Sequence, residues 1–232
     1  MKELEDQPWF PAFLRDLQMR FIGQLAARFG VYAPLIAWWR SGHGPGAVRV
    51  DLCSGSGEPA LSVHAQAGAP GQLLLTDLYP PRDRIAPGAV RYEQADARAL
   101  AVEHGVSYTM FNAFHHFTAD EQRQLVERIH RGGGEAWFVE PLRPDPLSFC
   151  QVLLAGTLGV LLFMPFVRPF SWKGLVLTYL LPVNVLTITW DGLVSVLRSS
   201  SAREYRRRFP PAYVRVVTLR GLVPLTVIHV SP

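Results

Sequence analysis

The stretch "VDLCSGSGEPALS", Val50 to Ser62, sets a carboxylate, Asp51, ahead of a turn in which Gly55, Gly57 and Ala60 follow the spacing GxGxxG/A. Glycines in such a turn let the backbone approach a ligand closely, and the helix behind it presents free N–H groups. Asp77 follows Gly57 at the ~20-residue spacing expected of a ribose-binding acid, at the end of the next apolar run, "QLLLTDL". A carboxylate one strand over from the turn accepts both hydroxyls of a ribose, so turn and acid together describe a site for an adenosine-like ligand. Asp51 narrows the choice. At the tip of the first strand it would repel the doubly negative pyrophosphate of a nicotinamide or flavin dinucleotide, with little water to screen the repulsion, and would attract a cation.

These residues need strands and helices to bring them together. "AVRVDL", "QLLLTDL", "AVRYEQAD", "VSYTMFN" and "EAWFVEP" read as five strands. "EPALSVHAQ" and "TADEQRQLVERIHRGG" read as helices, the second opening on a capping box of Thr118 and Glu121 and stopped by 132–134, a run of glycines. Strands separated by helices in this rhythm predict parallel βαβ units. "AYVRVVTLR" and "PLTVIHVSP", joined across Gly221, predict a closing antiparallel hairpin. Near the start, Phe10, Phe13, Leu14, Leu17, Phe21, Leu25 and Phe29 recur at helical spacing with Arg15, Arg20 and Arg28 between them, an amphipathic helix; "APLIAWWR" is a second helical piece, with Tyr32 and Trp38 as core or lid aromatics. The fold class is therefore α/β: a doubly wound, mostly parallel seven-stranded sheet with an antiparallel C-terminal hairpin, N-terminal helices and an apolar helical insertion before the last two strands. One domain accounts for 1–232, with a helical cap over 1–45, a ligand-binding core over 46–145, the insertion over 146–200 and the closing strands over 201–232.

"VDLCSGSGEP" resembles the first motif of the class I S-adenosylmethionine-dependent methyltransferases, an acid followed by GxGxG, with Cys53 in the place of the first glycine. The later landmarks fall in the family's order: the acid in "LLLTDLYP", then "QADA", then "FNAFHHF". The resemblance spans Val48 to Glu140 in motifs and the tail in topology. It implies S-adenosylmethionine as cofactor, whose ammonium and sulfonium suit Asp51. It also implies that Asp51, Ser54, Gly55 and Gly57 hold the methionine part, Asp77 and Leu78 the ribose, and Asp96 and Ala97 the adenine, with Asn112 beneath the sulfonium. A methyl group leaves sulfonium by in-line displacement, so a base is needed only where the acceptor must lose a proton. His115 and His116 are the candidates, His115 preferred, against the alternative that both shape the pocket; Glu140 reads as structural or as a pocket wall. No metal is called for.

The segments 146–167 and 174–190 contain no charged residue, lengths that approach the ~20 apolar residues of a bilayer span. Three readings compete: a transmembrane hairpin, an apolar lid behind a helix packed on the sheet, and a surface patch over 146–190 that touches lipid at the membrane periphery or a second copy in a homodimer. A transmembrane hairpin would put Arg168 and Lys173 on the far side, against the positive-inside tendency, and Pro165, Pro169 and Pro182 favour bent, packed segments. In "WDGLVSVLRSS" Asp191 stands near the expected start of a short helix, as its cap.

Charged residues make up 18% of the chain and the net charge is +4. The one dense basic cluster, "REYRRRF", reads as a solvated helix end, so no nucleic-acid partner is expected. Two cysteines, Cys53 and Cys150, show no ligand or redox spacing and fit a cytoplasmic setting. The expected activity is methyl transfer to an oxygen or nitrogen of a small, fairly apolar molecule. The alternatives are a membrane-associated methyltransferase of a lipid or quinone, a nicotinamide-dependent oxidoreductase on the same turn, and a non-catalytic membrane module.

Overall fold

The computed structural model describes residues 2–46, 48–68, 71–80 and 90–232; Ala47 and Ala89, at the expected starts of the first and third strands, lie outside them. Short runs rich in valine, leucine and tyrosine become strands β1 (Val48–Leu52), β2 (Gln72–Asp77), β3 (Val90–Gln94), β4 (Ser107–Phe111), β5 (Glu135–Glu140), β6 (Val214–Leu219) and β7 (Leu225–Val230). They form one sheet in the order β3-β2-β1-β4-β5-β7-β6. The first five are parallel, and β7 runs antiparallel to both β5 and β6. The fold class read from the sequence is the one observed. β1 lies between β2 and β4, and chain order reverses there, so the carboxyl ends of β1 and β4 flank the crevice where open α/β sheets bind ligands.

Both faces of the sheet are covered. On one side, helix α4 (Ala119–Arg131) packs Leu125, Val126 and Ile129 against Tyr108, Phe138 and Ile228, with Phe114 stacked on Phe138 at 4.2 Å between ring centres. On the other, α2 (Ala33–Trp38) and α3 (Ala60–Ala67) close over Leu75, Phe111, Trp137 and Val227. Tyr32 is buried edge-on against Phe111 and Trp38 stacks on His43, so both aromatics serve packing.

The N-terminal helix α1 (Ala12–Arg28) departs from a simple amphipathic helix: Arg15 and Arg20 are buried while Phe13 and Phe29 are exposed. The reason is that α1 is covered on two sides. At Gly23 it meets Glu58, where a Cβ would stand 2.6 Å from the Glu58 Cβ. On its other side Leu17 and Phe21 pack with Val160, Met164 and Ile188 of the apolar insertion. Arg20 is held by Asp16 at 2.8 Å, and Arg15 donates to the carbonyls of Glu5 and Gln7.

The insertion consists of α5 (Pro146–Phe166), α6 (Trp172–Leu180) and α7 (Val183–Arg198), with an 82° bend between α6 and α7 at the break that holds Pro182. Asp191 lies in the middle of α7, not at a helix start, because the helix begins after Pro182 and runs through "TITW" without a break. A short helix α8 (Ala202–Arg208) then leads into the hairpin, its Arg203, Arg206 and Arg207 exposed.

The capping box on α4 forms as its spacing predicts: Thr118 Oγ1 accepts from the Glu121 amide at 3.3 Å and Glu121 Oε2 accepts from the Thr118 amide at 2.7 Å. Thr118→Ala should lower stability by about 1 kcal/mol, read as a shift of the urea midpoint at unchanged slope.

Candidate active site

All the residues singled out in the sequence as ligand or proton carriers sit at the carboxyl end of the sheet. β1 delivers Asp51, almost wholly buried, and its Oδ1 accepts from Thr109 Oγ1 of β4 at 2.6 Å. Burial pushes the Asp51 carboxyl up to about 7, against the hydrogen bonds of Thr109 and Ser54 and with the charge of Asp77. The turn that follows uses left-handed backbone at Cys53 (φ 56°), Gly55 (φ 53°) and Gly57 (φ 88°). Cys53 therefore adopts, at a cost of about 1–3 kcal/mol, a conformation that glycine adopts freely. Its thiol is pushed well above the usual cysteine range by burial and by Asp77, Asp51 and Asp96, which leaves it unreactive.

Asp77 closes the turn from the next strand. Its Oδ2 accepts from the Gly55 amide at 2.8 Å and its Oδ1 from the Tyr79 amide at 2.8 Å. Ser54 is turned inward, its hydroxyl donating to the Asp51 carbonyl at 2.9 Å. The Gly55 carbonyl accepts from Tyr92 at 2.6 Å, and Met19 of α1 lies directly above Gly55, 2.8 Å from where a Cβ would be. Leu78 is half-buried with its carbonyl bonded to Gln94, and Ala97 is buried. Asp96 caps the single turn Ala97–Ala99 and pairs with Arg98 at 3.0 Å. Asn112, at the end of β4, takes φ 51° and leaves its Oδ1 buried without a protein partner, as is the Ser56 hydroxyl in the turn.

After β4 the chain makes one tight turn, Phe114–His116, fixed by Glu140 at the end of β5. Glu140 is fully buried; Oε1 accepts from the Phe114 amide at 2.7 Å and Oε2 from His115 Nδ1 at 2.8 Å. A carboxylate only accepts, so Nδ1 carries a proton; in the neutral ring Nε2 is then the nitrogen with the lone pair. That Nε2 is buried and has no hydrogen-bond partner; the nearest acid, Glu3 Oε1, stands 3.8 Å away. The Glu140 bracket was not legible beforehand.

His116 has a different environment. Its Nδ1 meets Asp6 at 3.0 Å and its Nε2 meets Glu3 at 3.3 Å, so both nitrogens donate. Burial opposes its charge, but the hydrogen bond of Asp6 and the charges of Glu3, Asp6 and Glu5 outweigh it and push the imidazole up to about 9. Arg198 braces the same acids, 3.4 Å from Glu3 and 3.2 Å from Asp6. Asp191 of α7 holds the strap from behind, accepting from the Leu4 amide at 2.6 Å and the Glu5 amide at 3.1 Å. Glu3, His115 and His116 each bring a possible ligand atom within 4.8 Å of the others. A metal there would have to displace the His116 proton and break the ion pairs with Asp6 and Glu3. The N-terminal strap of Glu3 and Asp6 is the part of the site that sequence reasoning missed; no local pattern links residues 110 positions apart.

The strap's ion pairs make its docking pH-dependent. The folded value of His116 lies above the ordinary 6.5, so its contribution is complete below pH 6.5 and is lost as pH rises through about 9. Followed by NMR, the His116 ring should titrate near pH 9 in the wild type, and Asp6→Asn should bring the midpoint down towards 6.5.

No protein-family model matches the chain, and no curated protein matches it. Solved structures do. The O-methyltransferase NcsB1 from neocarzinostatin biosynthesis, solved with S-adenosylmethionine and 2-hydroxy-5-methyl naphthoic acid, is 12% identical with a TM-score of 0.54, over 91% of this chain and 55% of its own. PigF, solved with S-adenosylhomocysteine, is 22% identical with a TM-score of 0.50, over 91% of this chain and 58% of its own. A chain from the complex of the Haloferax volcanii Trm112 methyltransferase activator with a methyltransferase is 15% identical with a TM-score of 0.50, over 92% of this chain and 97% of its own. The chain thus spans little more than half of NcsB1 and PigF. Likeness at these identities is a likeness of architecture, and together with the strand order it establishes that this chain has the fold of the class I S-adenosylmethionine-dependent methyltransferases.

Proposed function

We propose that the chain transfers a methyl group from S-adenosylmethionine to an oxygen or nitrogen of a small, apolar molecule, with His115 as the base. The observation that carries this reading is the His115 imidazole: one nitrogen is held by a buried carboxylate and the other has no hydrogen-bond partner, at the carboxyl end of the same sheet. The acceptor's proton would pass to His115 Nε2 as its oxygen or nitrogen forms the new bond to carbon. Glu140 is a positioning residue; it fixes the tautomer and stabilises the imidazolium that forms.

The residues present fit the cofactor. Asp51 and Asp77 supply negative charge for a ligand that carries ammonium and sulfonium, and Asp77 retains lone pairs beyond those used by Gly55 and Tyr79. The buried, unpartnered Ser56 hydroxyl and Asn112 carbonyl are polar atoms that a ligand would satisfy. When bound, the cofactor supplies an electrophilic methyl on a leaving group that becomes neutral. Met19 rests on Gly55, so its side chain must swing aside, or α1 shift, to admit it. Asp51 disfavours a dinucleotide, whose two phosphates would come next to it.

Three measurements test this reading. Calorimetry should show S-adenosylhomocysteine binding in the micromolar range, lost in Asp77→Ala; no heat of binding in the wild type would remove the proposal. The affinity for S-adenosylmethionine should rise between pH 6 and pH 8 as Asp51, held near 7, ionises, and Asp51→Asn should flatten that slope. With methyl-labelled cofactor and a panel of apolar phenols, quinols and aryl amines, His115→Gln should lower kcat for any accepted phenol by about 10²–10⁴-fold while leaving cofactor affinity within about twofold. Equal turnover by wild type and variant would reduce His115 to a packing residue.

A further inference from the structure

The apolar insertion keeps many of its largest apolar side chains on the outside. Inside it, small and polar residues, among them Gly156, Gly159, Gly174, Thr178, Asn184 and Ser195, are buried beside Val160, Met164, Ile188 and Val194. Large apolar side chains point outward: Leu154, Leu158, Leu162 and Phe166 along α5, Trp172 and Leu180 on α6, with Phe166, Trp172 and Leu180 67%, 74% and 76% exposed. The small residues let backbones approach. A Cβ on Gly156 would fall 2.5 Å from Thr189 Oγ1, and one on Gly192 2.7 Å from Val152. Side-chain hydrogen bonds tie the segments inside: Asn184 Nδ2 donates to the Gly174 carbonyl at 3.1 Å and to Thr178 Oγ1 at 2.9 Å, and Gln18 Nε2 of α1 donates to Thr187 Oγ1 at 2.6 Å. A helix layer facing water buries its large apolar residues and exposes its polar ones. Small residues and polar links inside, with leucine and aromatics outside, is the arrangement of helices packed in lipid.

The occupant follows from hydrogen bonding and charge. Interfaces between proteins carry about one hydrogen bond per 100–200 Å², and this face offers almost none: the Tyr179 hydroxyl is already given to the Leu161 carbonyl. Over 146–197 the charged residues are Arg168, Lys173 and Asp191; Asp191 is buried, and the two exposed ones are both cations. They stand at the α5–α6 connection among Phe166, Phe170 and Trp172, the mixture of aromatics and basic groups that suits an anionic headgroup layer. α5 alone has the length and hydropathy of a span, but the 82° bend between α6 and α7 and the packing of α1 along the layer, with Leu17 against Gly174 and Gln24 bonded to Arg168, favour a layer that lies in the plane of the membrane. We infer that α5, α6 and α7 form a monotopic anchor immersed in one leaflet of an anionic bilayer. This inference does not depend on the reaction proposed above, and it is read without turnover.

The experiment is flotation of the full chain, purified in mild detergent, with vesicles of phosphatidylcholine containing about one third phosphatidylglycerol and with pure phosphatidylcholine vesicles. The chain should float with the anionic vesicles, less with the neutral ones, and stay bound at about 1 M salt, because the attachment is apolar. Brominated lipid should quench its tryptophan fluorescence, less so in Trp172→Phe. The triple variant Leu154→Asn, Leu158→Asn, Leu162→Asn changes only exposed positions; with its circular dichroism unchanged, it should lose at least about tenfold in bound fraction. Three outcomes would overturn the anchor: a chain that stays at the bottom of the gradient, a detergent-free, monodisperse dimer that ignores vesicles, or a triple variant that floats like the wild type.

Discussion

A carboxylate withdrawn from water must be satisfied by its neighbours or given up as a charge, and three of them converge at the carboxyl end of this sheet. Asp51 takes the Thr109 hydroxyl, Asp77 takes two amides, and Glu140 takes an amide and an imidazole. Each bond also fixes a piece of chain that ordinary secondary structure would leave free. Asp77 shapes the glycine turn through Gly55, Asp51 ties β1 to β4, and Glu140 fixes the turn in which β4 ends. Removing any one acceptor would leave buried donors unpaired, at about 1–3 kcal/mol each. The same bonds that stabilise the fold therefore set the shape of the site.

The two neighbouring histidines show how strongly surroundings decide chemistry. His115 sees one buried acid on one nitrogen and keeps the other without a hydrogen-bond partner. His116, one residue on, sees Asp6 and Glu3 on both nitrogens and is held as a cation. From the dipeptide alone the two are interchangeable. The difference arises from which elements arrive at each ring: the end of β5 at one, the N-terminal strap at the other.

Much of the architecture was legible because it is local. Alternating apolar runs and helices place all seven strands within a residue or two of their observed ends, and Thr118 with Glu121 marks the start of α4 correctly. The glycine turn and Asp77 are recognisable from spacing. What was illegible depends on contacts distant in sequence. Asp191, four residues before a serine and beside a glycine, reads as a helix start, yet lies mid-helix, and its carboxylate accepts from the amides of residues 4 and 5 and not from its own helix. Arg15 and Arg20 read as a solvent face and are buried, since a second layer covers α1. The cost at Cys53 is likewise invisible without its backbone angle.

Helix α1 belongs to two surfaces. One side, through Met19 and Gly23, rests on the glycine turn; the other, through Leu17 and Phe21, is part of the apolar layer. Any shift of the helix at the turn would also disturb its contacts with that layer. Whatever free energy the layer gains by holding α1 in one position is charged, with equal size, against any ligand at the turn that needs it in another. A ligand at the turn that displaced the helix would therefore be coupled, through a single helix of 17 residues, to whatever holds the outer layer in place.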